Sequence, residues 1–85
     1  MAKVLVTFRV MPVDVSTNLD NLEKEIKSAI NPDRIVREPI AFGLTALNVS
    51  LLIEDAEGQM DSLEKKLRSI NSVGGVEVVE ITRTI

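Results

Sequence analysis

The segment that decides the fold is KVLVTFRV, residues 3–10, in which apolar and polar positions alternate. A period of two in a run rich in β-branched residues is typical of a strand with one buried face. Pro12 has no N–H to donate to a sheet, so we predict that the strand ends near it. The positions expected to face the core are Val4, Val6, Phe8 and Val10, and those expected on the other face are Lys3, Leu5, Thr7 and Arg9.

This strand and the segment after it recur weakly 41 residues further on, so that Val6 corresponds to Leu47. Residues 44–53 form the second alternating strand. Each strand is followed by apolar residues spaced three and four apart, which predicts an amphipathic helix. The first helical stripe is Leu19, Leu22, Ile26, Ala29 and Ile30, and the second is Met60, Leu63, Leu67 and Ile70.

Local signals set the predicted helix ends. Ser16 or Thr17 is the expected N-cap of the first helix, and Asn31-Pro32-Asp33 ends it. Asp61 and Glu64 have the spacing of a capping box for the second helix. Residues 71–75 are expected to form a loop into a last strand over residues 76–83. Its inward face is ambiguous, because Val78 and Val79 are adjacent.

The pattern of residues 34–40 predicts a weaker strand. Pro39 lies inside it, which favours a position at a sheet edge or a bulge for this strand. The element order is then β-α-β-β-α-β, two copies of one β-α-β unit with right-handed crossovers. The predicted fold class is α+β, a ferredoxin-like sandwich whose four-stranded antiparallel sheet has the order 4-1-3-2 and carries both helices on one face. We expect residues 1–85 to form a single domain.

Composition excludes several kinds of chemistry. The 85 residues include no Cys, His, Trp or Tyr, and the only aromatic residues are Phe8 and Phe42. Without Cys or His there is no disulfide, thiol nucleophile, imidazole base or thiolate metal site, and we expect no metal and no cofactor. Ten basic and thirteen acidic residues give a net charge of −3, so direct nucleic-acid binding is not expected. No apolar run is long enough to span a membrane and no signal peptide is recognisable, which favours the cytoplasm.

Domains of this fold have unrelated functions, and each of these functions requires particular residues. Residues 11–17 contain neither the thiolates of a metal-transfer domain nor the arginine of an acylphosphatase-like site. The open sheet face lacks the aromatic residues of an RNA-binding sheet. Glu54 and Asp55 are a poor acid–base pair, and the acidic run over residues 54–57 is interpreted as a solvated loop or a contact for a basic partner. We therefore expect no enzymatic activity. A ligand-binding regulatory module of the same topology remains an alternative.

Phe42 stands outside every apolar stripe, in a short connection between Ala41 and Gly43. Two interpretations remain: its ring closes one end of the core, or it is an exposed anchor at a protein interface. Gly43 beside it indicates a backbone shape that a Cβ would disfavour.

The segment PIAFGLTALNV, residues 39–49, followed by LIED, residues 52–55, resembles the guanine nucleotide exchange domain of translation elongation factor 1-beta in its short archaeal form. The likeness extends over nearly the whole chain. It implies a non-enzymatic factor that binds elongation factor 1-alpha in its GDP-bound and nucleotide-free states and speeds GDP release. We expect the protein to be a monomer when free.

Some of the family's functional residues have a counterpart in this sequence and others do not. Ala41, Phe42 and Gly43 match the motif that the family places against the GTPase. Eukaryotic members also use a lysine next to their C-terminal residue at the magnesium and phosphate site. Thr84 occupies that position here, and Arg83 is the nearest cation that can replace it. Val13 stands where the eukaryotic turn commonly has a tryptophan.

Overall fold

A computed structural model describes residues 3–54 and 57–84 of the chain. The elements follow the predicted order, with a 3₁₀ turn between the second and third strands. Their bounds are β1 Lys3–Pro12, α1 Leu19–Ile30, β2 Arg34–Pro39, the 3₁₀ turn Ala41–Gly43, β3 Thr45–Glu54, α2 Glu57–Arg68 and β4 Val73–Thr84.

The four strands form one sheet in the order β2-β3-β1-β4, and every neighbouring pair is antiparallel. Counted from the other edge this is the predicted order 4-1-3-2, so the ferredoxin-like α+β fold class is confirmed. β2 lies at an edge, where the missing N–H of Pro39 costs the sheet little. Arg37 of β2 forms ion pairs with Asp20 and Glu23 of α1, which tie this edge to the helix layer.

The core lies between the sheet and the two helices. The even-numbered residues of β1 face it as predicted, and Phe8 is fully buried. Leu22 and Ile26 of α1 and Leu63 and Leu67 of α2 pack in the same cluster, so both helices cover one face of the sheet. The other face is left open and carries Leu5, Thr7 and Arg9 from β1.

A bulge resolves the ambiguous face of β4. Thr7 pairs with Glu80, whereas the next residue, Phe8, pairs with Val78, so Val79 is an extra residue in the strand. The extra residue shifts by one which residues of β4 face the core. The strand can therefore contain two adjacent apolar residues, Val78 and Val79. Glu80 therefore lies beside Thr7 on the open face, and Val78 lies beside Phe8 on the helix face.

The predicted N-cap of α1 was wrong. Asn18 caps the helix, and its side-chain oxygen accepts from the backbone N–H of Asn21 at 3.0 Å. Ser16 and Thr17 lie upstream of the cap position, because α1 begins at Leu19; the hydroxyl and backbone N–H of Ser16 instead donate to the carboxylate of Asp14. The predicted end is confirmed, with Asn31 in the left-handed conformation as C-cap.

The predicted capping box of α2 was also wrong. The helix begins at Glu57, so Asp61 and Glu64 lie inside it, and Glu64 instead pairs with Arg68 one turn later at 2.7 Å. Gly58 is tolerated because it falls in the first turn, whose N–H groups have no partner within the helix. Of the acidic run, Glu54 ends β3 and Glu57 begins α2, so these two are not loop residues as expected; Asp55 and Ala56 lie outside the described residues.

The last loop is shorter than predicted, because β4 already begins at Val73. Val73 pairs with Pro12 and Gly75 with Met11, and the register shifts between these two pairs. The early start is possible because Gly74 approaches the backbone of β1 closely, as a residue with a Cβ would not.

No helix in the described ranges, 3–54 and 57–84, is long and apolar enough to cross a membrane.

Candidate functional site

Three connections meet at one end of the sheet. We call it the loop end and define it by residues 13–18, 40–44 and 69–72. The backbone N–H of Val13 donates to the carbonyl of Ser72 at 2.9 Å, which joins the first connection to the third. Gly43 lies against Val15, whose Cγ1 would be 3.9 Å from a Cβ built on the glycine. The loop end is therefore a packed structure and not three independent loops.

Phe42 is the most exposed large apolar residue at the loop end, with 94% of its surface accessible. The ring does not close the core, so that interpretation was wrong, and the exposed anchor stays a prediction. Its backbone has φ 61 and ψ 29, in the left-handed region that a bulky residue rarely adopts. Such a conformation costs about 1–3 kcal/mol and persists only where the surroundings impose it, which makes it a marker of functional segments.

Two backbone hydrogen bonds close the turn that carries Phe42. The backbone N–H of Ile40 donates to the carbonyl of Leu44 at 2.8 Å. The backbone N–H of Leu44 in turn donates to the carbonyl of Ala41 at 3.3 Å. Gly43 follows at φ 76, which confirms the backbone shape predicted for it. Because two consecutive residues have positive φ, the ring of Phe42 projects from a turn that few sequences can form.

Asp14 organises the first connection of the loop end. Its Oδ1 accepts from the hydroxyl of Ser16 at 2.7 Å and from the backbone N–H of the same residue at 2.9 Å. These bonds, first the one from the Ser16 hydroxyl, hold the pKa of Asp14 below its ordinary value, because they favour the charged carboxylate. Val13 and Val15 on either side of it remain exposed, at 54% and 66%.

A shallow cleft of about 380 Å³ continues the loop end onto the open face of the sheet. One wall carries an ion pair, in which Nη1 of Arg9 donates to Oε1 of Glu77 at 3.0 Å. The sequence alone did not reveal this cleft, since its residues come together only through the register of β1 with β4. Its lining residues are Arg9, Met11, Ile40, Gly75, Val76 and Glu77.

The four residues selected from the sequence do not form one site. Ala41, Phe42 and Gly43 lie together and exposed at the loop end. Arg83 is exposed at the other end of the sheet, where it pairs with Val4, whereas Val10 of β1 pairs with Val76 near the loop end. At about 3.3 Å per residue, the stretch of β1 between those two pairs separates Arg83 from the loop end by about 20 Å.

Asp14 and Val15 also belong to the loop end, although no sequence-based prediction placed them there. The available signal was the spacing Asp14-Val15-Ser16, in which an aspartate can accept from the backbone two residues on. Ser16 is also a common N-cap residue, so the same stretch of sequence is compatible with a helix start.

Residues 5–84 match the family described as the EF-1 guanine nucleotide exchange domain. The match spans nearly the whole chain, and the chain belongs to this family.

Within the family, the chain is similar to archaeal proteins that carry the name elongation factor 1-beta. It is 40% identical to the protein of Methanothermobacter thermautotrophicus over 98% of both chains. It is 41% identical to that of Desulfurococcus amylolyticus, again over 98% of both chains. The similarity therefore extends over the relatives' full length and is not confined to a motif.

Among solved structures, the chain resembles the ACT domain from GTP pyrophosphokinase of Chlorobium tepidum. The solution structure of that domain gives a TM-score of 0.70 at 20% identity, over 92% of this chain and 88% of the other. The crystal structure gives 0.65 at 21% identity, over 91% and 99%. At this level of identity the likeness concerns the fold alone.

Proposed function

We propose that this protein is the nucleotide exchange factor of elongation factor 1-alpha, promoting GDP release and GTP loading during translation elongation. The observation that carries the proposal is the match of residues 5–84 to the exchange-domain family. An exposed Phe42 on a constrained turn agrees with it, because an aromatic anchor of this kind contributes strongly to a protein interface.

Exchange of this kind requires no chemical step. If the factor binds the nucleotide-free GTPase more tightly than the GDP-bound form, GDP binding is weakened by the same factor through linkage. Side chains are then needed for docking and for disturbing the nucleotide site, not for bond making. A chain without Cys and His suits this function, and we propose that it acts without a covalent intermediate and without a bound cofactor.

We assign the two ends of the molecule to different contacts. Ala41, Phe42 and Gly43 dock on the GTPase, with the ring of Phe42 as the anchor. Arg83, about 20 Å along the sheet, approaches the magnesium and phosphate site in place of the lysine of eukaryotic members. The separation supports this assignment, because one rigid module then contacts the GTPase at two places at once.

Composition supports one further feature of the proposal. An acidic chain with a net charge of −3 favours a protein partner over nucleic acid. We propose that the factor works in the cytoplasm, is a monomer when free and binds one GTPase at a time.

Release of a fluorescent GDP analogue tests the function directly. The cognate elongation factor 1-alpha is loaded with the analogue, an excess of GTP is added, and the release rate is followed against the concentration of this protein. We expect the rate to rise and saturate. The Val36→Ala variant is the matched control, since Val36 is an exposed apolar residue of the edge strand β2, away from both proposed contacts. No acceleration at micromolar protein would contradict the proposal.

The alternative is a ligand-binding regulatory module, which the likeness to ACT domains supports only at the level of fold. It predicts dimerisation and a melting temperature that rises with a small molecule. A protein that stays monomeric and responds only to elongation factor 1-alpha would exclude it.

A further inference from the structure

The turn that carries Phe42 receives no support from its own ring. The side chain is 94% accessible, so packing of the aromatic group cannot compensate for the left-handed backbone beneath it. The hydrogen bonds within the turn close it, but they leave its outer side open to solvent. Val15 lies against this turn, and its Cγ1 would be 3.9 Å from a Cβ built on Gly43.

Val15 is itself exposed, and its position depends on the loop around it. On one side, Val13 is bonded to Ser72 through its backbone N–H. On the other, the backbone N–H and the hydroxyl of Ser16 both donate to Asp14. The carboxylate therefore spans Val15 and fixes the backbone from which this side chain projects.

These bonds are not needed to begin α1. Asn18 caps that helix, with its side chain accepting from Asn21 at 3.0 Å and its carbonyl accepting from Leu22 at 3.0 Å. Among residues 3–54 and 57–84, the side chain of Asp14 forms hydrogen bonds with Ser16 and Thr17, upstream of the cap. The carboxylate thus orders the loop that faces the Phe42 turn, and the helix start has its own cap.

We infer that Asp14 is a positioning residue for docking: it holds Val15 against Gly43 and so keeps Phe42 presented for the GTPase. The inference rests on the proposed function, since it concerns how the docking turn is held ready. When a binding-competent conformation is only partly populated, apparent affinity falls in proportion to that fraction. Loss of the carboxylate should therefore weaken docking without altering the exchange step itself.

Exchange kinetics with four variants test this. Asp14→Ala is expected to raise the half-saturating concentration about three- to ten-fold, with an unchanged maximal rate. Asp14→Asn keeps an oxygen that can accept from Ser16 and should restore most of the affinity. Asp61→Ala removes an exposed carboxylate from α2 and should have no effect. In the double variant with Phe42→Ala, Asp14→Ala should add little, because it acts through the residue already removed.

A structural measurement separates this inference from the proposed function. In the free protein, nuclear Overhauser contacts between the Val15 methyl groups and the Gly43 α-protons should be present. They should disappear in Asp14→Ala and persist in Asp14→Asn, whether or not the protein accelerates GDP release. The inference is overturned if these contacts survive in Asp14→Ala, or if its effect adds fully to that of Phe42→Ala. If the wild-type protein has the contacts but accelerates nothing, the proposed function fails and the positioning of the turn by Asp14 stands.

Discussion

Gly74 lies so close to Pro12 that a Cβ built on the glycine would be 2.9 Å from the proline carbonyl oxygen and 3.0 Å from the Cα of Val13. Both atoms belong to the backbone, which cannot yield as a flexible side chain would. The approach brings the start of β4 against the end of β1 and lets Val13 reach the carbonyl of Ser72. One glycine therefore permits the contact between two of the three connections of the loop end.

This relationship predicts different outcomes for two neighbouring glycines. Gly74→Ala should destabilise the protein by about 1–3 kcal/mol, because the added methyl group must push two backbone segments apart. Gly75→Ala should change stability by less than about 0.5 kcal/mol, since no described residue other than its chain neighbours lies within 4 Å of its added Cβ. Urea unfolding of both variants measures the difference. Equal midpoints would show that the close approach is not a constraint.

The two phenylalanines should respond in opposite ways to truncation. Phe8 is fully buried at the centre of the sheet, so Phe8→Ala should cost about 3–5 kcal/mol. That is a large share of the roughly 5–15 kcal/mol of a typical domain, and the variant is expected to be partly unfolded at 37 °C. Circular dichroism during thermal unfolding, with wild type as reference, measures it. A melting temperature close to that of wild type would contradict the packing described for β1.

At Phe42 we expect function and stability to separate. Phe42→Gly removes an exposed ring and relaxes a left-handed backbone, which stabilises the folded state. Glycine also makes the unfolded chain more flexible, which offsets part of this effect. We expect the free energy of unfolding to rise by up to about 1 kcal/mol. GDP release should nevertheless slow markedly, because the anchor is gone. Phe42→Ala should lose the same activity without the gain in stability. If both variants lose stability instead, the ring contributes to folding and its function as an anchor is doubtful.

Most of the fold was predictable because the central strands alternate cleanly. In β1 and β3 every second residue is apolar, so the buried face follows from the period, and Pro39 marks the edge strand. β4 could not be predicted in this way, because the bulge at Val79 breaks its period. Whether a strand contains an extra residue is decided by pairing with its neighbour, here the shift between Thr7 and Phe8, and a single sequence does not contain that information.

The candidate site was predictable only in part, for a related physical reason. Phe42 could be singled out because it stands outside every stripe, but its exposure depends on the left-handed backbone of a three-residue turn, which no period in the sequence indicates. The separation of Arg83 from the loop end depends on strand register, which is a property of the sheet. The helix starts predicted from Ser16 and Asp61 were wrong, because several residues near each start can cap a helix and their spacing alone does not decide which one does.

Arg83 should affect the exchange step more than docking. Its position at the far end of β4, paired with Val4, keeps it away from the proposed anchor. We therefore expect Arg83→Ala to lower the maximal rate of GDP release several-fold while the half-saturating concentration changes less. Arg83→Lys retains the positive charge and should preserve most of the rate. Stopped-flow release over a range of factor concentrations separates the two parameters, and an equal loss in both would contradict a function at the nucleotide site.

The hydrogen bonds to Asp14 also make the loop end sensitive to acid. Because donation from the Ser16 hydroxyl and backbone N–H lowers the pKa of this carboxyl, the ordered loop favours its charged form. The resulting stabilisation is complete above 3.8, the ordinary value for an aspartate, and is lost as the pH falls through the lowered pKa. The backbone amide resonance of Ser16 should therefore titrate with a midpoint below 3.8, because the oxygen that accepts from it loses its charge over that range. Asp14→Asn, which cannot ionise there, is the control and should abolish this titration. A midpoint at or above the ordinary value would show that the carboxylate is not held by Ser16 in solution.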